Sequence, residues 1–428
     1  MSWKSEYESK LCTAEEAVRF VQSGDRVVFG QMNGVSQILI DALCARKDEL
    51  MDVTTFSSIN ACQEHYLDEG YAPHIKYLNG FLFPQARKAY KEGRIEYFQL
   101  HFSEFPAWLK ETWKATVAMP VLTPPDEEGY CSYSMGADFM VAACEVARDV
   151  IAHINPAAPR TFGARIHVSE LRCAVVSNQP CAEIAMGRAG EVEMQIAQHI
   201  APRIPDGACL QLGIGGIPDT VLSMLSGKKD LGIHTEMFSD GVVELVEKGV
   251  ITGKCKQTDI GKIVTTFIAG TKRVQDFVNN NPDVLVLPVD YTNDPYIIAK
   301  NDNLISINAC LEVDLFGQVN ADSVGGRFYS GIGGQVDFIR GAKMSKGGQS
   351  FITLPSTALG GTVSTIVPFL KHPVTTSRHD VRCIVTEYGI ADLSGKTMRD
   401  RTQALIDVAH PDFREELTKA AYEAHLFY

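Results

Sequence analysis

Short apolar runs alternate with amphipathic helical patterns along the chain, and this alternation constrains the fold more than any other feature. Residues 26–30, 53–57, 115–122, 150–153 and 173–176 form such runs in the first half; residues 263–268, 284–289, 351–354 and 383–385 form them in the second. Helix signals lie between several of them. Thr13-Ala-Glu-Glu16 has capping-box form, and a helix carrying Val18 and Val21 follows until Gly24 ends it. A second helix pattern spans residues 36–46. Short apolar strands alternating with helices indicate a mainly parallel sheet covered on both faces. The expected fold class is α/β.

The chain has 428 residues, enough for two domains or three. Gly187 and Gly190 open a strong helix over residues 191–200, and Pro202, Pro205, Asp206 and Gly207 close it. A fresh strand starts at Ala208. Two open α/β/α domains are expected, residues 1–190 and 191–428. A faint internal echo points to duplication. Residues 129–136 read Gly-Tyr-Cys-Ser-Tyr-Ser-Met-Gly and residues 317–325 read Gly-Gln-Val-Asn-Ala-Asp-Ser-Val-Gly, alignable with one insertion.

Composition removes whole classes of function. The formal net charge is −12, which would repel a nucleic-acid backbone. There is no apolar run of membrane-spanning length, so no transmembrane helix and no membrane partner are expected. The polar, acidic first residues do not read as a secretory signal, and the expected location is cytoplasmic. The 11 cysteines are scattered, most of them beside apolar residues, without a Cys-x-x-Cys pair, as reduced, buried thiols would be. No zinc spacing or His-Glu-x-x-His occurs, and no metal site is expected.

Four segments have the residues for chemistry. Residues 210–218, Leu-Gln-Leu-Gly-Ile-Gly-Gly-Ile-Pro, run from a strand through a glycine cluster into a helix. Glycines there let a backbone approach a ligand, and a helix start favours anions. Pro218 breaks the dinucleotide Gly-x-Gly-x-x-Gly, and no P-loop lysine follows. The alternative is a tight strand-to-helix turn. Residues 234–241, His-Thr-Glu-Met-Phe-Ser-Asp-Gly, place Glu236 where a strand ends and a helix begins, the edge at which open α/β sheets bind ligands. The plainer reading leaves Glu236 merely exposed, with Asp240 capping the next helix. Residues 329–341 hold Gly331, Gly333 and Gly334, able to aim several N–H groups at one anionic oxygen. Residues 385–393 place Glu387 at another strand end, a competitor to Glu236. His153, His167 and His234 sit at strand ends, where a general base could stand, but a satisfied structural histidine is the better reading of each. No Gly-x-Ser-x-Gly elbow is present. Gln31, after the first strand, is a candidate for the substrate pocket by its position alone.

Taken together, residues 213–218, 234–241, 311–315, 330–340 and 386–393 resemble the acetyl-CoA hydrolase/transferase family, class I coenzyme A transferases, over nearly the whole chain. The resemblance implies two α/β domains of the CoA-transferase (NagB/RpiA-like) type, with the glutamate in the second. It places Glu236 on the catalytic glutamate and Asn293 on an asparagine near the thioester carbonyl. Gly213, Ile214, Gly215, Gly216 and Ile217 fall on a CoA-contacting loop, and Gly334 on a second CoA contact. It implies a ping-pong CoA transfer through a glutamyl-CoA thioester, between short-chain acyl-CoA (acetyl, butyryl or 4-hydroxybutyryl) and a free short-chain acid. CoA is then a substrate, no cofactor is tightly bound, and a homodimer is expected. Where some relatives carry a CoA-contacting lysine after Pro-Ser-Thr-Ala, this chain has Leu359. Two other readings remain open: an acyl-CoA hydrolase on the same fold, and a non-catalytic regulator that binds a sugar phosphate or nucleotide.

Overall fold

The computed structural model describes residues 2–60, 62–184, 190–213 and 215–428. The chain forms two compact units, one of Met1–Ile184 and Val264–Thr292, the other of Ala185–Ile263 and Asn293–Tyr428. It therefore leaves the first unit, returns to it and leaves again, which one linear boundary does not express. Part of the helix opener expected at Gly187 lies outside the described residues.

The first unit is built on β1 (Arg26–Phe29), β2 (Val53–Ser57), β3 (Ile75–Asn79), β4 (Glu96–Tyr97), β5 (Val117–Met119), β6 (Val121–Leu122), β7 (Asp149–Ile154) and β8 (Cys173–Val176). Their order across the sheet is β8-β7-β5-β1-β2-β3-β4, with β6 beside β7. Every one of these pairings is parallel. All six residues of β7 are buried, so both faces of the sheet are covered there. The capping box at Thr13 forms as read, although its α-helix is one turn, Ala14–Ala17, followed by a 3₁₀ turn. The run at 284–289 is not one strand: it is strand over Val284–Val286 and helix from Val289, because Pro288 has no N–H to continue a ladder.

The second unit carries β9 (Cys209–Leu212), β10 (Gly232–Ile233), β11 (Leu304–Ala309), β12 (Gln349–Thr353), β13 (Cys383–Thr386) and β14 (Gly389–Asp392), in the order β10-β9-β11-β12-β13-β14. The β13–β14 pair is antiparallel and the others are parallel. Its helices include α1 (Glu191–Ile200), α2 (Gly216–Ser223), α3 (Asp240–Glu247) and α4 (Gln335–Met344). Ile339 of α4 shares a buried cluster with Ile352, Ile384 and, from the C-terminal helices, Leu405 and Leu417.

The internal echo has a structural counterpart that reaches further back than the glycines. In the first unit Asp126 Oδ1 accepts from the N–H groups of Glu128 and Tyr130, the Gly129 N–H donates to Asp126 O, and the Asp126 N–H donates to Tyr130 O. In the second, Asp314 makes the same four bonds with Phe316, Gln318 and Gly317. Both glycines are left-handed, at φ 92° and 84°, a region an L side chain resists. The Asp314 turn is the more deeply set: Asp314 is buried, and its Oδ2 also accepts from Gln318 Nε2 at 2.9 Å. Removing a buried acceptor strands its donors. Asp314→Ala is therefore expected to cost about 2–4 kcal/mol and Asp126→Ala about 1 kcal/mol. Urea unfolding of the two variants measures the difference.

Candidate active site

β9 and β10 lie side by side, and their carboxyl ends deliver two of the glycine- and carboxylate-bearing segments to one place. Beyond β10, the Thr235 hydroxyl accepts from the Leu212 N–H at 3.2 Å, and the His234 N–H donates to Leu210 O at 3.1 Å. Gly213 and Glu236 are the next residues of these two tethered chains. Under Gly213 lies a closed polar cluster. Ser306 Oγ donates to Gln211 Oε1 at 2.6 Å, and Asn308 Nδ2 donates to the same oxygen at 3.1 Å. A Cβ at Gly213 would stand 3.0 Å from Asn308 Oδ1. Gly215, at φ 142°, is the N-cap of α2, and the space beside the Gly216 Cα is open. The Ile217 side chain is buried, so what this turn offers a ligand is backbone. Ile214 lies outside the described residues.

Glu236 keeps part of its surface open, while its carboxylate is held by two distant segments. Asn293, itself fully buried, donates from Nδ2 to Glu236 Oε2 at 2.8 Å. The Gly334 N–H also bonds the carboxylate. Gly334 is the N-cap of α4, and Gly333 before it is left-handed at φ 57°. A Cβ at Gly334 would fall onto Glu236 Oε2 and Asn293 Nδ2, so only glycine leaves room for the carboxylate. Gly331 is buried in the same turn. Burial pushes the Glu236 carboxyl up from 4.5 to about 7; the charge of Asp337 adds to the rise, and the Asn293 and Gly334 N–H groups oppose it. Asp337 was not singled out in the sequence. It sits in the first turn of α4, buried, within 3.5 Å of Asn293 Nδ2. Its one sequence signal is its place three residues after a glycine cluster.

The other candidates have different surroundings. Glu387 is committed to a turn: its two oxygens take the Ser356 N–H at 2.9 Å and the Ser356 hydroxyl at 2.5 Å. Leu359 is 80% exposed at the tip of the hairpin that follows. Gln31 is buried in the first unit, where its side chain lies against the Asp138 carboxyl, which burial pushes up to about 7. His153 is buried with Nε2 on Ser177 O, and burial lowers its pKa. His167 bonds Ser169 and Glu128 O, and the His234 ring stands edge-on to Phe338. Burial pushes the Cys209 thiol up to about 11 and the Cys310 thiol higher, away from thiolate chemistry at neutral pH. Lys256, buried beside Cys209, donates to the Ile233 and Lys262 carbonyls and so ties down the end of β10, three residues ahead of Glu236. Among the described residues, no group of three or more His, Cys, Asp or Glu side chains is placed to hold a metal ion, and no helix is long and apolar enough to cross a membrane.

A half-buried, activatable carboxylate at the strand ends of a mainly parallel α/β unit, gripped by an amide and a glycine N–H, defines the class: an enzyme suited to covalent carboxylate chemistry. Comparison with known proteins narrows it. Residues 1–185 match the acetyl-CoA hydrolase/transferase N-terminal domain and residues 270–421 the C-terminal domain. The chain is 47% identical to 4-hydroxybutyrate coenzyme A transferase of Clostridium kluyveri over 97% of this chain and 98% of that one. It is 39% identical to butyryl-CoA:acetate CoA-transferase of Anaerostipes caccae, over 100% and 99%. The solved structure of 4-hydroxybutyrate CoA-transferase from Porphyromonas gingivalis superposes with a TM-score of 0.84 at 41% identity, covering 99% of this chain and 100% of that one. The chain belongs to the acetyl-CoA hydrolase/transferase family.

Two outcomes are expected from the carboxylate's surroundings. Gly334→Ala should leave the fold intact and cut turnover at least about a hundredfold by displacing Glu236 and Asn293; steady-state rates and circular dichroism check this. Glu236 is more readily protonated folded than unfolded. Its contribution to stability is therefore whole below pH 4.5 and is lost as pH rises through about 7. Glu236→Gln lacks that titration. Its melting temperature relative to the unsubstituted protein should rise between pH 5 and pH 8, by the equivalent of roughly 3 kcal/mol at most.

Proposed function

We propose that this CoA-transferase moves CoA between a short-chain acyl-CoA and a free short-chain carboxylate through a glutamyl-CoA thioester on Glu236. One observation carries the reading: Glu236, Asn293 and Gly334, far apart in the chain, converge on a single carboxylate.

Ionised Glu236 attacks the thioester carbonyl. The C–S bond breaks, CoA leaves as thiolate, and an acyl-glutamyl anhydride remains. The thiolate then attacks the glutamyl carbonyl, the acyl group departs as its carboxylate, and glutamyl-CoA is left. An acceptor carboxylate reverses these steps and regenerates Glu236. Splitting one hard exchange into two covalent halves gives ping-pong kinetics. The first tetrahedral intermediate carries its oxyanion on the acyl carbon, and the second, formed when the thiolate attacks the glutamyl carbonyl, carries it on an oxygen of the Glu236 carboxyl group itself. Asn293 Nδ2 and the Gly334 N–H are already directed at that carboxyl group, and one such donor is typically worth roughly 3–4 kcal/mol. The backbone beside Gly213, Gly215 and Gly216, and the Gly331–Gly334 turn, are proposed to lie along CoA. CoA's remote contacts then supply binding energy to the reacting thioester. Gln31 is proposed to border the acyl pocket. Acetyl-, butyryl- and 4-hydroxybutyryl-CoA are the proposed thioesters, by likeness to the relatives' named substrates. A cytoplasmic homodimer completes the proposal, a two-fold pair being the commonest symmetric assembly; light scattering reads its mass.

Incubation with acetyl-CoA and no acceptor acid should add the mass of CoA less water to the peptide containing Glu236, and Glu236→Gln should not acquire it. An adduct on Glu387 would move the site. Absence of any adduct, with transfer following a ternary-complex rate law, would overturn the covalent mechanism. Release of CoA outpacing transfer to acetate or butyrate would make the enzyme a hydrolase.

A further inference from the structure

The Asn293 amide has two N–H bonds, and two carboxylates stand before it. One N–H meets Glu236 Oε2 at 2.8 Å, and the same nitrogen lies 3.5 Å from Asp337 Oδ2. On the other side of the amide, Asn293 Oδ1 is buried without a hydrogen-bond donor. That unmade bond carries a cost, yet the flipped orientation would be worse: it would turn Oδ1 against two carboxylates. Asp337 is thus half of what determines which way Asn293 faces. Its own position is secure, because it is 3% exposed in the first turn of α4, where the helix dipole favours an anion.

We infer that Asp337 is a positioning residue of the transfer reaction: it locks the Asn293 NH2 group toward Glu236 and, by like charge, keeps the Glu236 carboxylate strongly nucleophilic. This rests on the glutamyl-CoA reading above and adds to it a buried group that acts through Asn293 and Glu236. The electrostatic half has a direction. Ionised Glu236 faces the Asp337 charge, whereas Glu236 in the anhydride or thioester is neutral. Attack on acyl-CoA therefore relieves the repulsion, and the resting carboxylate is destabilised relative to both covalent intermediates. The balance at Glu236 supports this, since Asp337 is the charge that raises its carboxyl while Asn293 and Gly334 lower it. His234, two residues before Glu236, and Asp240, in the first turn of α3, are the other titratable side chains of that strand-to-helix segment.

The test is single-turnover formation of the Glu236 adduct from acetyl-CoA, followed by mass spectrometry between about pH 5 and pH 9. In the unsubstituted protein the rate should rise with pH through a midpoint near 7, as Glu236 ionises. In Asp337→Asn the midpoint should fall by about one unit or more. The plateau rate at high pH should also drop about tenfold, because the amide is no longer locked. Asp337→Glu keeps the charge and should hold the midpoint near that of the unsubstituted protein. A purely structural role for Asp337 would lower the plateau and leave the midpoint in place. That result, in an Asp337→Asn protein with native circular dichroism, overturns the inference while the covalent mechanism stands. If Asp337→Asn does not fold, Asp337→Ser removes the same charge and is read by the same midpoint. If the unsubstituted protein forms no adduct at Glu236, the transfer reading fails and this inference falls with it.

Discussion

The site depends on the contact between the Glu236 carboxylate and the backbone of Gly334, with the Asn293 amide closing it from a third direction. Any side chain at position 334 would occupy the volume of the carboxylate oxygen. This requirement runs outward through the second unit. It needs β10 to stop where Thr235 can tether to Leu212, and it needs Lys256 to hold the β10 end at Ile233. It also needs Gly334 to be the N-cap of α4 rather than a residue to either side, and the left-handed Gly333 makes that start possible. A reactive group held by elements so far apart in sequence is only as well placed as the sheet beneath it.

That sheet explains why the carboxylate lies where it does. In a parallel array all strands end on one edge, so turns distant in sequence collect there. β9 and β10 bring the Gly213 turn and Glu236 to that edge, and α4, which packs on β11 and β12, brings Gly334. The matching turns at Asp126 and Asp314 show the same local solution used once in each unit, down to the identity of the bonded atoms. The two aspartates do the same work in different surroundings. Asp314 carries extra bonds and deep burial, while Asp126 is closer to solvent.

Much of the architecture is legible in the sequence because it rests on local physics. The strand at 173–176 and the helix at 191–200 lie where apolar runs and helix stops put them. The misjudged run at 284–289 failed for an equally local reason, the proline at 288. Site geometry is another matter. Spacing alone cannot choose between Glu236 and Glu387, since both follow strands. What separates them is the Ser356 turn that uses both oxygens of Glu387, a contact across 31 residues. Asn293 lies 57 residues from Glu236, and Asp337 another 44 beyond it. No periodicity connects such positions; likeness to a family points to Asn293, and only the folded chain brings Asp337 beside it.

The degree to which Glu236 is perturbed fits the chemistry it is proposed to perform. A carboxylate of ordinary basicity is fully ionised at neutral pH but a poor nucleophile toward a thioester, and raising its basicity strengthens the attack. The gain is limited by the fraction ionised. With the carboxyl raised to about 7, a substantial fraction of the group is still ionised near neutral pH while its nucleophilicity is increased. Two further units would leave roughly one molecule in a hundred ionised, a loss that grows as fast as basicity while nucleophilicity grows more slowly. Desolvation and the Asp337 charge push the carboxyl upward, and the Asn293 and Gly334 donors oppose that rise. Those same donors bond the Glu236 carboxyl oxygen, on which negative charge would return when a thiolate attacks a glutamyl carbonyl in the proposed reaction, so the groups that limit the rise in the resting enzyme would also stabilise that intermediate.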